Sequence, residues 1–144
     1  SREPQMTRIV RLKRTPKLVD GAKTKIAVPT EEQDQIKLVV WVRKMGLPIV
    51  GSPAAGRRSV WEGAKLKRMG CVAGWPDLFM PVPNKTFPGL FIELKRASGG
   101  VVSESQLHWM AILRQNGYAC EVCRGLEEAK KVILDYLANT DQAA

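Results

Sequence analysis

The chain has 144 residues, the size of one ordinary domain, and its 44% hydrophobic and 26% charged residues are typical of a soluble globular protein. Its longest apolar run, Leu38–Val42, is far shorter than the roughly 20 residues of a membrane-spanning helix. No signal peptide is visible, so we expect a cytoplasmic protein without a membrane partner. The net charge of +9 favours a polyanionic partner, because lysine and arginine displace counterions from phosphates.

The basic residues are concentrated in two parts of the sequence. Residues 1–29 contain eight basic and two acidic side chains and several proline and glycine residues, which predicts a basic N-terminal arm that is partly extended or mobile. A second cluster surrounds a predicted basic helix, Ser59–Met69, and its members are the preferred DNA-binding residues. They are Arg57, Arg58, Lys65, Lys67 and Arg68. Basic runs can also be a solvated surface, so charge alone does not identify nucleic acid.

Hydrophobic spacing and capping motifs predict the other helices. Thr30–Gln33 has the spacing of a capping box, and the apolar residues after it recur at helical intervals to about Met45. Ser103–Gln106 repeats the capping pattern and predicts a helix to about Asn116. A final apolar stripe predicts a helix over Leu126–Leu137.

Three apolar segments between these helices are predicted strands. Asp77–Val82 and Leu90–Lys95 are joined by a loop with proline and glycine residues that suits a hairpin, and Tyr118–Cys123 is a third short strand. The segment from Gly51 to Gly56 is predicted to be a loop. This order of elements predicts one α/β domain over residues 30–144, with a mixed central sheet flanked by helices.

The three cysteines include a C-x-x-C pair, Cys120 and Cys123, which can indicate zinc or redox chemistry. Only Cys71 and His108 remain to complete a zinc site of cysteine and histidine ligands. Residues three apart in a strand also point to opposite faces of the sheet. We therefore expect reduced, structural thiols.

Two acidic residues and a lysine form the candidate catalytic group. Glu93 and Lys95 are two residues apart in a predicted strand, so they share one face while Leu94 points into the core. Asp77, at the start of the neighbouring strand, can reach the same patch. Two carboxylates can hold Mg²⁺, which activates water and neutralises charge on a scissile phosphate. The spacing is equally compatible with a surface ion pair and an acid in a turn.

The surrounding motifs resemble the VRR-NUC nucleases, the virus-type replication–repair branch of the PD-(D/E)XK superfamily. The resemblance covers about residues 30–138 and looks like the compact stand-alone form found in phages, which implies a phage or bacterial origin. Its motifs are Lys65–Gly70, Gly74-Trp75-Pro76-Asp77-Leu78, Gly89–Lys95, Ser103-Glu104-Ser105-Gln106 and Gly117-Tyr118, with Thr30-Glu31 and Gln35 opening the first helix. The resemblance implies a PD-(D/E)XK restriction-endonuclease-like core.

The resemblance also implies roles for individual residues. Asp77, Glu93 and the backbone carbonyl of Leu94 would hold Mg²⁺ or Mn²⁺, and Lys95 would be the catalytic lysine. Glu31 would be the helix-borne acid near the metal, either directly or through water.

Several of these residues have a second interpretation. Glu31 also suits a helix N-terminus because of the helix dipole, and Glu32 is the alternative acid. Gln106 would lie beside the catalytic group, but its capping role explains it without chemistry. Gln35 could face the same cleft or be buried.

The four tryptophans also allow two interpretations. Trp41, Trp61, Trp75 and Trp109 could stack on bases, although core packing is the commoner role of such residues. We expect core positions for Trp41 and Trp109. Trp75 stands where a smaller apolar residue is expected and could shape the cleft.

The resemblance implies a metal-dependent DNA endonuclease that selects Holliday junctions or other branched DNA by shape and acts as a homodimer in repair or recombination. Selection by shape agrees with a basic surface that lacks a major-groove recognition motif. A non-catalytic DNA-binding or recombination-accessory module would keep the basic surface without a working metal site. An exonuclease or an RNase could use the same metal centre.

Overall fold

The computed structural model describes residues 27–52 and 60–140, and for residues 60–62 it describes the backbone alone. The predicted N-terminal arm lies outside the described residues except for 27–29, which lead into the first helix without regular structure. The elements in chain order are α1 (Glu31–Lys44), β1 (Val50–Gly51), α2 (Val60–Arg68), β2 (Leu78–Met80), β3 (Leu90–Lys95), α3 (Glu104–Gln115), β4 (Ala119–Arg124) and α4 (Leu126–Ala138).

The four strands form one mixed sheet in the order β1-β2-β3-β4. The β1–β2 and β2–β3 pairs are antiparallel, and the β3–β4 pair is parallel, with α3 as the connection between the parallel strands. The expectation of an α/β domain with a mixed sheet is therefore confirmed. Among the described residues, no helix is both long and apolar enough to cross a membrane.

The structure corrects two boundaries. The segment predicted as a loop from Gly51 contributes that residue to β1, because Val50 and Gly51 pair with β2. The strand predicted over Asp77–Val82 is shorter, since regular pairing covers Leu78–Met80. Asp77 lies just outside the strand, where its backbone carbonyl accepts a hydrogen bond from the Ser52 amide at 2.9 Å.

The central strand β3 is buried along its whole length and separates two apolar clusters. Leu90, Ile92 and Leu94 pack in the larger cluster with residues of α1 and α4, which confirms that Leu94 points into the core. Phe91 packs on the other face with Met110 of α3. The strand thus presents alternate residues to two environments, as its pleat requires.

The two C-x-x-C thiols lie on opposite faces of the sheet. Cys123 packs in the larger cluster, whereas Cys120 packs beneath α3. Burial raises the pKa of Cys120 to about 11 and that of Cys123 to about 12, so both remain protonated at neutral pH. Thiols that point to opposite faces cannot bind one ion together, which agrees with a structural role.

The end of β3 opposite Lys95 is anchored to α4 through the hairpin loop. The Tyr136 hydroxyl donates a hydrogen bond to the Val82 carbonyl at 2.6 Å, and the Asn84 side-chain amide donates to the Tyr136 carbonyl at 3.1 Å. These bonds fix the start of β3. The other end of the strand carries the polar residues described next.

Candidate catalytic and metal site

Glu93 and Lys95 lie on the α3 face of β3, in line with Phe91. Their exposed fractions are 2% and 7%, so both charged groups are largely removed from solvent. The Lys95 ammonium lies 3.6 Å from Glu93 Oε1. The predicted shared face is therefore present, but the pair is buried, and the alternative of a surface ion pair on a strand edge is wrong.

Asp77 reaches the same patch from the start of β2. In the antiparallel β2–β3 pair Leu78 stands opposite Ile92, so the preceding residue, Asp77, stands level with Glu93. Asp77 Oδ2 accepts a hydrogen bond from the Leu94 amide at 2.7 Å. The Asp77 side chain thereby accepts a hydrogen bond from a β3 amide that lies beyond the short β2 strand. This hydrogen bond brings the Asp77 carboxyl group beside that of Glu93.

Gln106 connects this patch to the first turn of α3. Its side-chain oxygen accepts a hydrogen bond from the Ser103 amide at 2.9 Å, and its side-chain nitrogen donates to Glu93 Oε1 at 2.7 Å. An amide group has one oxygen and one NH₂, so the bond to Ser103 fixes which end faces Glu93. The capping role and the position beside the site, which the sequence left as alternatives, are both present.

Gly74 holds the loop before Asp77 against the same turn of α3. Its φ of 85° is favourable for glycine alone, and an added Cβ would lie 2.4 Å from the Ser105 carbonyl carbon. The sequence motif that contains Gly74 did not indicate a structural role for this glycine. Its positive φ and this close approach keep Asp77 and Gln106 on neighbouring segments.

Burial is the main cause of the raised pKa values of both carboxyl groups. Desolvation and the charge of Asp77 raise the pKa of Glu93 to about 8, against the opposing effect of Lys95. Desolvation is also the largest cause of the raised pKa of Asp77, which the hydrogen bond from Leu94 partly offsets. A buried and a partly buried carboxylate side by side are unfavourable unless a proton or a cation lies between them.

The donor set suits a hard divalent cation. Glu93 Oε2 is buried and has no hydrogen-bond partner among the described residues, whereas Oε1 is held by Gln106. The Lys95 carbonyl accepts from Gly125 on the β4 side, and the Leu94 amide bonds on the β2 side. Because successive peptide groups of a strand point to opposite edges, the Leu94 carbonyl is directed toward the Asp77 side.

Glu31 lies near Asp77 without joining the carboxyl pair. A cleft of about 750 Å³ runs along α1 and is lined by Glu31, Glu32, Gln35 and Asp77 among others. The charge of Glu31 contributes to the raised pKa of Asp77, which favours Glu31 over Glu32. Within the described residues, no three acidic, histidine or cysteine side chains are arranged to hold one ion.

The predicted DNA-binding residues on α2 lie on an exposed helix. Lys65, Lys67 and Arg68 are exposed near its C-terminal end. No other helix or strand of the described chain approaches the α2 backbone closely. A short connection, residues 69–73, leads from α2 to Gly74. Arg57 and Arg58 lie outside the described residues.

The tryptophans differ in environment. Trp41 is half-buried against the larger cluster, and Lys130 lies 5.5 Å from its ring centroid. Trp75 packs edge-on against Phe91 and Trp109, with centroid distances of 5.5 Å, and remains 39% exposed. Trp41 and Trp109 therefore contribute to packing, while Trp75 is partly accessible next to the loop that carries Asp77. The Trp61 side chain lies outside the described residues.

Comparison with known proteins identifies the family. No curated protein shows significant similarity to the chain. A solved structure described as a VRR_NUC domain protein superposes with a TM-score of 0.70 and 28% identity, covering 81% of this chain and 94% of the other. The sequence model of the VRR-NUC domain matches residues 30–127, which is more than half of the chain. With its largely buried Asp77–Glu93–Lys95 group at the end of a mixed sheet, the chain belongs to the VRR-NUC nuclease family.

Proposed function

We propose that the protein is a divalent-metal-dependent endonuclease that hydrolyses phosphodiester bonds in branched DNA. The observation that carries the proposal is the pair formed by the buried Glu93 and the partly buried Asp77, in which both pKa values are raised and Glu93 Oε2 has no partner among the described residues. Such a pair is costly in the absence of a bound cation, because each buried charge loses hydration. A purely structural ion pair with Lys95 would need one carboxylate, not two.

Asp77, Glu93 and the Leu94 carbonyl would hold Mg²⁺ or Mn²⁺, both of which prefer oxygen ligands. The bound ion would supply an activated water and neutralise charge on the phosphate. Gln106 keeps Glu93 Oε1 in place and leaves Oε2 for the ion. Lys95, on the same face as Glu93, would donate hydrogen bonds to the attacking water or to the phosphate as negative charge develops.

DNA affinity would come mainly from basic residues outside this group. The chain carries a net charge of +9, and α2 exposes three basic side chains. Phosphate contacts of this kind hold DNA without reading its sequence. Arg57 and Arg58, in the preceding segment, are proposed to extend the same surface. Selection would then depend on DNA shape, as at a Holliday junction.

A homodimer would suit a four-way junction. One chain of 16.0 kDa supplies one Asp77–Glu93–Lys95 group, whereas resolution of a junction requires cuts in two strands. A two-fold dimer would hold two such groups in fixed register. Light scattering should give about twice the chain mass, and junction cleavage should produce symmetric nicked duplexes. A monomer that nicks flaps faster than four-way junctions would contradict the dimer proposal alone.

The test is a cleavage assay on labelled four-way, flap, duplex, single-stranded and circular DNA and on hairpin RNA. Mg²⁺ or Mn²⁺ should support cutting, and Ca²⁺ should support binding alone, because its longer, looser coordination organises the attack poorly. Cleavage in excess EDTA would contradict a metal-dependent reaction. Cleavage confined to DNA ends, or to RNA, would contradict the endonuclease or the DNA assignment.

Asp77→Asn, Glu93→Gln and Lys95→Ala should each reduce the cleavage rate by about 10²- to 10³-fold or more while DNA binding persists. The matched controls are Asp135→Asn and Lys131→Ala, which break an exposed ion pair of α4 with a distance of 2.7 Å. Both controls should cleave at wild-type rates. Near wild-type turnover in any of the three site variants would remove that residue from the mechanism.

A further inference from the structure

A glycine turn covers the aliphatic part of Lys95. The chain turns after β3, and Gly100 returns so close that an added Cβ would lie 3.0 Å from Lys95 Cβ and 3.3 Å from Lys95 Cδ. This contact helps to explain why Lys95 is only 7% exposed although it ends its strand. A lysine stem has four rotatable bonds, so contact along its length restricts the positions open to the ammonium group.

Arg124 holds this turn in place from the neighbouring strand. It stands opposite Lys95 in the parallel β3–β4 pair. Alternation along β4 places it on the same face as Cys120 and Val122, which pack beneath α3. One guanidinium nitrogen of Arg124 donates a hydrogen bond to the Gly100 carbonyl at 2.6 Å. Arg124, Gly100 and Lys95 therefore form a connected series of contacts.

We infer that Arg124 is a positioning residue that acts through Gly100 to hold Lys95 in its reactive position. The inference rests on the proposed function, since it assigns Arg124 to the lysine that the mechanism uses. Arg124 does not contact the carboxyl pair in the structure, so its effect reaches the reaction through Lys95. Sequence alone could not assign this role, because Arg124 lies 24 residues after Gly100 and outside every motif of the site.

The chain offers a matched control for Arg124 in Arg114. Arg114 also donates to a backbone carbonyl, that of Cys120, at 2.6 Å, and it is likewise exposed. Arg124→Ala and Arg114→Ala each remove one positive charge and one arginine–carbonyl contact on this side of the sheet. Only the first releases the turn that covers Lys95.

Two measurements test the inference. In steady-state cleavage, Arg124→Ala should reduce kcat by about ten- to a hundredfold, because a small displacement of a catalytic group is costly, and should leave KM nearly unchanged. Arg114→Ala should leave both constants close to the wild-type values. Arg124→Lys, which keeps the charge and one donor, should recover part of kcat.

The second measurement does not depend on cleavage. In metal-free protein treated with an amine-acetylating reagent, mass spectrometry should show several-fold faster modification of Lys95 in Arg124→Ala than in wild type or Arg114→Ala. Lys131, which is exposed, provides the internal reference. Thermal unfolding of each variant identifies any loss of overall folding, and a poorly folded Arg124→Ala is replaced by Arg124→Gln.

The outcomes separate the inference from the proposed function. Unchanged kcat and unchanged Lys95 acetylation in Arg124→Ala would overturn the inference while wild-type cleavage still supports the nuclease. A raised KM with unchanged kcat would also overturn it, because Arg124 would then bind DNA directly. If wild type cleaves no substrate, the proposed function fails, and the acetylation rates still decide whether Arg124 controls access to Lys95.

Discussion

Two helices of this protein begin with the same capping box, and the two boxes have different consequences. In α1, Gln33 and Thr30 exchange hydrogen bonds of 3.0 and 3.1 Å at an exposed helix start. In α3, Gln106 and Ser103 exchange bonds of 2.9 and 3.2 Å, and Gln106 also donates to Glu93. Local hydrogen bonding is nearly identical. The two boxes differ in what lies next to the glutamine NH₂ group. The box of α1 only begins a helix, whereas the box of α3 also holds a candidate metal ligand, Glu93.

The largest expected effect comes from Gly74, which packs against the second box. Gly74→Ala should destabilise the protein by about 3 kcal/mol, because the added Cβ meets backbone atoms of Ser105 in addition to the cost of a positive φ. Gly46→Ala is the control, since Gly46 has a φ of 76° and no atom within 4 Å of the added Cβ. It should cost about 1 kcal/mol. Urea unfolding measures the stability of both variants. Equal losses of stability would show that the first turn of α3 shifts to accommodate the added Cβ at little cost.

A second test concerns the acid that the α3 box contacts. The pKa of Glu93 is about 8 in the folded protein and near 4.5 when exposed, so folded Glu93 retains a proton that the unfolded chain has released. The stability of metal-free protein should therefore fall as pH rises from about 4.5 to about 8. Asp77, whose pKa is also raised, contributes in the same direction.

Glu93→Gln should flatten this dependence, because glutamine does not ionise. At pH 8.5 in EDTA the variant should be more stable than wild type by about 1–3 kcal/mol, since each pKa unit corresponds to about 1.4 kcal/mol. Glu121→Gln, at an exposed position of β4, should leave the pH dependence as in wild type. Urea unfolding at several pH values provides the measurement. Parallel curves for wild type and Glu93→Gln would show that Glu93 is ionised before metal binding.

The smallest expected effect compares the two glutamines directly. Gln33→Ala and Gln106→Ala should each cost about 0.5–1 kcal/mol of stability, because each removes a capping bond. Gln106→Ala should also lower the cleavage rate and the apparent Mg²⁺ affinity by about tenfold, since Glu93 loses the group that orients it. Equal cleavage by the two variants would mean that the Gln106–Glu93 bond has no part in the reaction.

Local patterns were sufficient to predict most of the fold. Capping boxes and hydrophobic periodicity predicted α1 and α3 within about two residues at each end, and an apolar segment after a loop with proline and glycine predicted β3. The two-residue strand β1 was missed because it carries no periodicity and exists through its pairing with β2. The start of β2 was misplaced because Asp77 uses its side chain, and not its backbone, to bond Leu94.

Predictions about the site were limited by tertiary contacts. Alternation along β3 correctly put Glu93 and Lys95 on one face. The burial of both residues could not be predicted, because it depends on α3, on the Gly100 turn and on the rest of the sheet. Gln106 remained ambiguous for a similar reason, since its partner Glu93 lies thirteen residues earlier and on another element.

The alternation of β3 also affects how reliably the sheet assembles. A shift of one residue in the pairing of β3 would exchange its two faces. Glu93 and Lys95 would then enter the apolar cluster with Leu38 and Ile133, and Ile92 and Leu94 would take the polar positions beneath α3. Glu93 would lose the hydrogen bond from Gln106, and the apolar cluster would offer neither charge a new partner. The residues that we propose to cut DNA therefore also disfavour misaligned strands during folding.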